Sequence, residues 1–165
     1  MGIVRDGVSI GSHPIVIRFM KGIYNIRPPV SRYVKTWDVN IVLNKLRNVS
    51  PVKYISLKVL SMKLAMIMCL VLAGCTQSLY LLTIKNMLKG TKCYVLQYCD
   101  NLKQSRPGKN NPTAEIKTYP PDRRLCPITI LKGYLKRTSR MRKTNTLFIS
   151  YVKPYGAVTR STISR

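Results

Sequence analysis

The sequence predicts a mainly α domain that carries a small antiparallel β-hairpin or sheet, an α+β fold. Three observations predict it. Apolar residues recur at helical spacing in three stretches, at residues 36–47, at 56–74 and from Pro127 onward. Residues 92–98 and 114–119 change period, mixing aromatic and β-branched side chains or alternating polar with apolar. Apolar residues make up 45% of the 165, enough to bury a core and too many for a disordered tail, and the length suits one domain.

Residues 1–35 are punctuated by Gly7, Gly11, Pro14, Gly22, Pro28 and Pro29. They read as an extended arm or linker with one short helix near residues 14–24, leaving 36–165 as the domain. Thr36 can cap a helix running to about Arg47, with Asp38 near its positive end. Trp37, Ile41, Val42 and Leu46 form its apolar stripe, and Ser50-Pro51 breaks it. A second helix starts at Ser56 and stops at Gly74. Leu57, Leu60, Leu64, Ile67, Met68 and Val71 line one face, and most other positions after Leu64 are apolar too. A helix apolar nearly all round belongs at the centre of a domain, where methionines fill gaps.

Thr76 can cap a short third helix over residues 77–82. A strand is expected at 92–98 and a returning strand at 114–119, with Ile116 inward and Lys117 outward. The polar connection between them carries Lys103, Arg106 and Lys109 at its tip. Pro127 fits the first turn of another helix, with Ile128, Leu131, Tyr134 and Leu135 as the buried stripe. Its far end holds Lys132, Lys136, Arg137, Arg140, Arg142 and Lys143. These cations can contact phosphates; the alternative is a solvated helix end, where cations are stabilised by the negative end of the helix dipole with no partner at all. Residues 146–152 could form a short strand, and 159–165 read as the start of a further helix.

Charge narrows the function. Lys and Arg number 29 against 5 Asp and Glu, a net charge of +24. Self-repulsion of that size points to a polyanionic partner: DNA, RNA or an anionic membrane. The acids are Asp6, Asp38, Asp100, Glu115 and Asp122. Scattered so widely, they disfavour two-metal nuclease chemistry and glycoside hydrolysis. The cysteines at 69, 75, 93, 99 and 126 form no C-x-x-C pair, and His13 is the one histidine, so neither a zinc site nor any other metal or cofactor is expected. An odd cysteine count fits free thiols in a reducing compartment. Residues 62–75 read MKLAMIMCLVLAGC, like a bacterial lipoprotein signal. Such signals act at an N-terminus, and the uncharged stretch 64–73 is shorter than the ~20 residues a membrane span needs, so a buried helix is preferred.

The order of short motifs carries a resemblance. His13-Pro14, Lys21-Gly22-Ile23, Arg27-Pro28-Pro29 and Trp37-Asp38 with Val42-Leu43 come first. The leucines of 57–64, Thr76-Gln77-Ser78-Leu79 and Leu82 follow. Then come Leu102-Lys103, Arg106-Pro107-Gly108-Lys109, Leu125-Cys126, Tyr134-Leu135-Lys136-Arg137-Thr138, Leu147-Phe148 and Lys153-Pro154. This series, spanning nearly the whole chain, resembles the recombinase domain of DIRS-type retrotransposons, a branch of the tyrosine recombinases or phage-integrase-like enzymes.

The resemblance implies a partial DNA breaking-rejoining domain and metal-free chemistry. In that family a tyrosine attacks a DNA phosphate, two arginines and a histidine stabilise the developing charge, and a hairpin lysine protonates the leaving hydroxyl. Lys103 matches that lysine. Cys75 stands where the family has its first arginine, and a neutral thiol supplies neither fixed charge nor a bidentate grip. The H-x-x-R motif and the nucleophilic tyrosine would lie beyond Arg165, so a truncated, inactive domain is expected. Tyr151 and Tyr155 sit too early to be that nucleophile. The implied partner is duplex DNA, held mainly through phosphates by Arg106, Lys109 and the six cations from Lys132 to Lys143, in a nuclear or intracellular, unsecreted protein of a mobile element. A small basic RNA-binding or structural protein is the alternative, because Tyr and basic residues interleave over 94–103. Attachment to a membrane through 62–75 is the second.

Overall fold

The computed structural model describes residues 4–5, 7–28, 38–73, 76–102, 105, 108 and 112–164. The chain divides into two compact units, Met1–Asp38 and Val39–Arg165. In the first, strands β1 (Val4–Arg5) and β2 (Val8–Ser9) pair antiparallel, and a 3-10 turn at Ile10–Ser12 leads to helix α1 (Pro14–Ile26). His13 caps α1, its Nδ1 accepting from the Ile15 amide at 3.3 Å, while Pro14 takes the first turn, where no amide partner is needed. Arg18, Lys21 and Asn25 form a narrow polar stripe at helical spacing, and none of the apolar residues around the rest of α1 is buried.

The second unit holds helices α2 (Val39–Asn48), α3 (Leu57–Leu72), α4 (Thr76–Tyr80), α5 (Pro127–Thr138) and α6 (Arg160–Ser164). Strands β3 (Leu82–Lys89), β4 (Cys93–Tyr98) and β5 (Ala114–Lys117) make an antiparallel sheet in the order β3-β4-β5. The architecture is therefore α+β. Ser56 starts α3 by accepting from the Val59 amide at 3.3 Å, and Ala73 ends it in the left-handed region. Gly74, the expected stop, lies outside the described residues, as do Thr36 and Trp37 at the expected start of α2.

One core joins the layers. Leu60, Leu64, Ile67 and Met68 of α3 pack with Ile128, Ile130, Leu131 and Tyr134 of α5, over Leu82, Tyr94, Leu96, Ala114 and Ile116 of the sheet. In register, Tyr94 faces Ile116 and Leu96 faces Ala114, so the β4–β5 pair offers one apolar face. Gly133 lets α5 approach the 50–56 loop, since a methyl there would stand 2.5 Å from Val52 Cγ1. The opposite side of α3 stays open: Val59, Met62, Met66 and Val71 are exposed.

Several features depart from the sequence expectation: residues 4–9 hold a strand pair within the expected arm, and Val71, expected on the core face of α3, is exposed. The short helix, expected to reach residue 82, ends at Tyr80, and residues 82–89 form β3, a strand not expected from the sequence. Residues 146–152 contribute only isolated bridges, Thr83 to Thr146 and Ile149 to Ala157, and no strand. Lys63, unmarked as a core residue in the sequence, is 1% exposed.

Candidate nucleic-acid interface

The cations at the far end of α5 divide by what they touch. Arg137 turns inward and donates to the Val52 carbonyl at 3.3 Å and to that of Ile55. These bonds pin α5 to the loop between α2 and α3. Arg142 donates to Thr138 Oγ1 at 2.9 Å, to the Leu147 carbonyl at 3.0 Å and to the Thr146 carbonyl. Its guanidinium also lies 5.7 Å from the Tyr134 ring centre. Burial pushes the Arg142 pKa down and Tyr134 opposes the shift. An arginine satisfied by three carbonyl and hydroxyl acceptors is a structural tie. Both side chains are half-buried, which separates them from the surface patch expected of the whole group.

Lys132, Lys136, Arg140 and Lys143 are exposed. Lys132 and Lys136 are one helical turn apart on α5, and Arg140 and Lys143 follow in the turn beyond it. Lys132 Nζ sits 5.5 Å from the centre of the Tyr94 ring, which anchors its stem. These four make a basic ridge, and none of them pairs with a carboxylate among the described residues. Lys103, Arg106 and Lys109, the hairpin cations, and Cys75 lie outside the described residues. Of the two tyrosines in the stretch that motivates the RNA alternative, Tyr94 is 6% exposed and Tyr98 is half-buried. A buried ring cannot offer a face for base stacking.

A second cationic cluster escaped the sequence reading. Asp122 accepts from Arg47 Nε at 2.6 Å and from Arg124 Nε and Nη2 at 3.1 and 3.3 Å. The Arg124 amide also donates to it at 2.9 Å. Arg47 comes from the last turn of α2, so the contact spans 75 positions and leaves no local sequence signal. The hydrogen bonds from Arg124, then Arg47, hold the Asp122 carboxyl far below the usual carboxylate range. A carboxylate with a depressed folded pKa stabilises fully above its unfolded value, about 3.9, and that stability is lost as pH falls toward the folded value. Asp122→Asn should therefore flatten the decline of the thermal midpoint below about pH 4, measured by circular dichroism melts; an unchanged acid limb would contradict this assignment.

Among the described residues no helix is long and apolar enough to cross a membrane. Helix α3, which holds most of residues 62–75, has its central face in the domain core. No family model, curated protein or solved structure matches this chain.

Proposed function

We propose that this chain is a DNA-binding relative of the tyrosine recombinases of DIRS-type mobile elements, one that holds duplex DNA without cutting it. The observation that carries the binding is the +24 charge together with the exposed ridge of Lys132, Lys136, Arg140 and Lys143. Cations held on a rigid helix and its following turn suit phosphate contact, which positions a protein on DNA without reading sequence. Descent from recombination and integration machinery rests on the ordered motifs from His13-Pro14 to Lys153-Pro154. The loss of cutting rests on Cys75 in the position of the family's first arginine; losing such a contact typically lowers turnover by ~100-fold or more. A nuclear or otherwise intracellular, unsecreted protein follows from the same reading.

Competition between duplex DNA and single-stranded RNA for the full chain tests the choice of partner. Labelled duplex should be displaced by unlabelled duplex at lower concentration than by RNA. Preferential displacement by RNA would sink the DNA reading.

A further inference from the structure

Arg47, Arg123 and Arg124 line one open pocket of about 680 Å³, where Asn48, Ser50 and Thr129 add polar groups. Thr129 sits in the first turn of α5, so the pocket opens at the N-terminal end of that helix, one turn before Lys132, where the exposed ridge begins. At 1.5 Å of rise per residue, Thr129 and Lys136 are about 10 Å apart along the axis.

The guanidinium groups here are not equivalent. Asp122 Oδ2 accepts from Arg47 and Arg124, and Oδ1 accepts from the Arg124 side chain and amide. That fills the carboxylate's capacity and fixes the aim of two arginines. The Arg123 guanidinium is exposed and makes no hydrogen bond or ion pair among the described residues. Arg47 and Arg124 share one carboxylate and Arg123 lines the same pocket, which leaves the pocket with two surplus positive charges. Pre-aimed forks lose little freedom when they close on an oxyanion, and their planar geometry matches two oxygens at once.

We propose that Arg47, Arg123 and Arg124 form a binding site for a phosphoryl anion. Surplus charge matches a phosphate carrying one to two negative charges, and the pocket is far larger than a bare ion, so the phosphate belongs to a larger ester. Asp122 is a positioning residue, and Arg123 is the group left to engage the ligand. The source of the ester is a nucleic-acid phosphate or a free nucleotide. Its assignment to nucleic acid rests on the function proposed above; the anion site itself rests on the pocket.

The full chain is titrated with inorganic pyrophosphate by calorimetry, and with a duplex DNA across a salt series. Arg123→Gln removes a side chain that ties no two elements together, and Lys136→Gln removes the same charge from the ridge. Arg123→Gln should weaken pyrophosphate binding about tenfold or more, while Lys136→Gln leaves it unchanged. If the ester is nucleic acid, Arg123→Gln also lowers the log–log salt slope for duplex binding by about 0.9, one phosphate contact. Loss of pyrophosphate binding with no duplex binding by any form supports the site, assigns it to free nucleotides and sinks the DNA reading alone. Wild-type affinity for pyrophosphate in Arg123→Gln, equal weakening by Lys136→Gln, or no pyrophosphate binding by the wild type overturns the site even where duplex DNA binds.

Discussion

Tyr134→Ala is expected to remove the cooperative unfolding transition of the second unit. Tyr134 is fully buried, and its ring lies 6.0 Å from that of Phe148, centre to centre. Its hydroxyl accepts from the Ile149 amide at 3.0 Å, and its carbonyl accepts from Thr138 Oγ1 at 2.8 Å. Arg142 covers the ring. One side chain thus ties α5 to residues 146–149, a segment with no ladder of its own. Emptying a site of this size costs about 3–5 kcal/mol, against a total stability of about 5–15 kcal/mol for a domain. The +24 charge places this chain under extra self-repulsion. Tyr134→Phe keeps the ring and strands the Ile149 amide, for a smaller loss of about 1–3 kcal/mol. Urea titrations followed by far-ultraviolet circular dichroism measure both. A midpoint for Tyr134→Ala equal to that of Tyr134→Phe would show that the emptied volume adds nothing to the cost of the stranded amide.

Lys63→Glu is expected to be as damaging, for an electrostatic reason. Lys63 lies in the most apolar helix, 1% exposed. Its Nζ donates to the Val49 carbonyl at 2.6 Å and to Ser50 Oγ at 3.1 Å. The cation thereby satisfies the C-terminal end of α2, where a positive charge also meets the negative end of the helix dipole. A glutamate has no proton to give the Val49 carbonyl and would bury a negative charge toward Asp122. Leaving a buried charge without its partner costs about 3–5 kcal/mol.

Lys63→Met separates charge from volume. Burial lowers the Lys63 pKa, Asp122 raises it in part, and Arg124 lowers it further. A lysine with a depressed folded pKa binds fewer protons folded than unfolded between its two pKa values, so stability rises with pH across that window. The cost of burying the charged form is complete below the folded pKa and is relieved as pH rises toward the unfolded value, about 10.4. Any stability that Lys63→Met gains over the wild type should therefore shrink as pH rises toward about 10.4. A gap that holds constant from neutral pH to that value would contradict the desolvation account.

The helices were legible because their signals are local. Ser56 caps α3, Pro127 opens α5, and the apolar stripes of both face the core except at Val71, which is exposed. Strands β4 and β5 were legible for the same reason. Strand β3 was not, because its alternation is interrupted: Asn86 takes a positive φ of 57°, and the register with β4 shifts between Thr83 and Leu88. One residue in the left-handed region turns the strand and breaks the period of two that marks it in sequence. The candidate site was legible only as a density of cations. Arg137 and Arg142 carry the same donors whether they grip phosphate or carbonyl oxygen, and only the positions of Val52, Ile55, Thr146 and Leu147 decide which. The Arg47–Asp122–Arg124 cluster was hidden because its members meet through the fold.

Contact between the charge of this chain and DNA phosphates is tested most directly by titrating the full chain with duplex DNA over a series of salt concentrations. Each neutralised phosphate releases a counterion, so the logarithm of affinity should fall linearly with the logarithm of salt, by about 0.9 per contact. Removing Lys136 and Arg140 together, as Lys136→Gln and Arg140→Gln, should lower that slope by up to about 1.8. A flat response to salt, or no binding at low salt, would contradict a role for the charge in holding DNA.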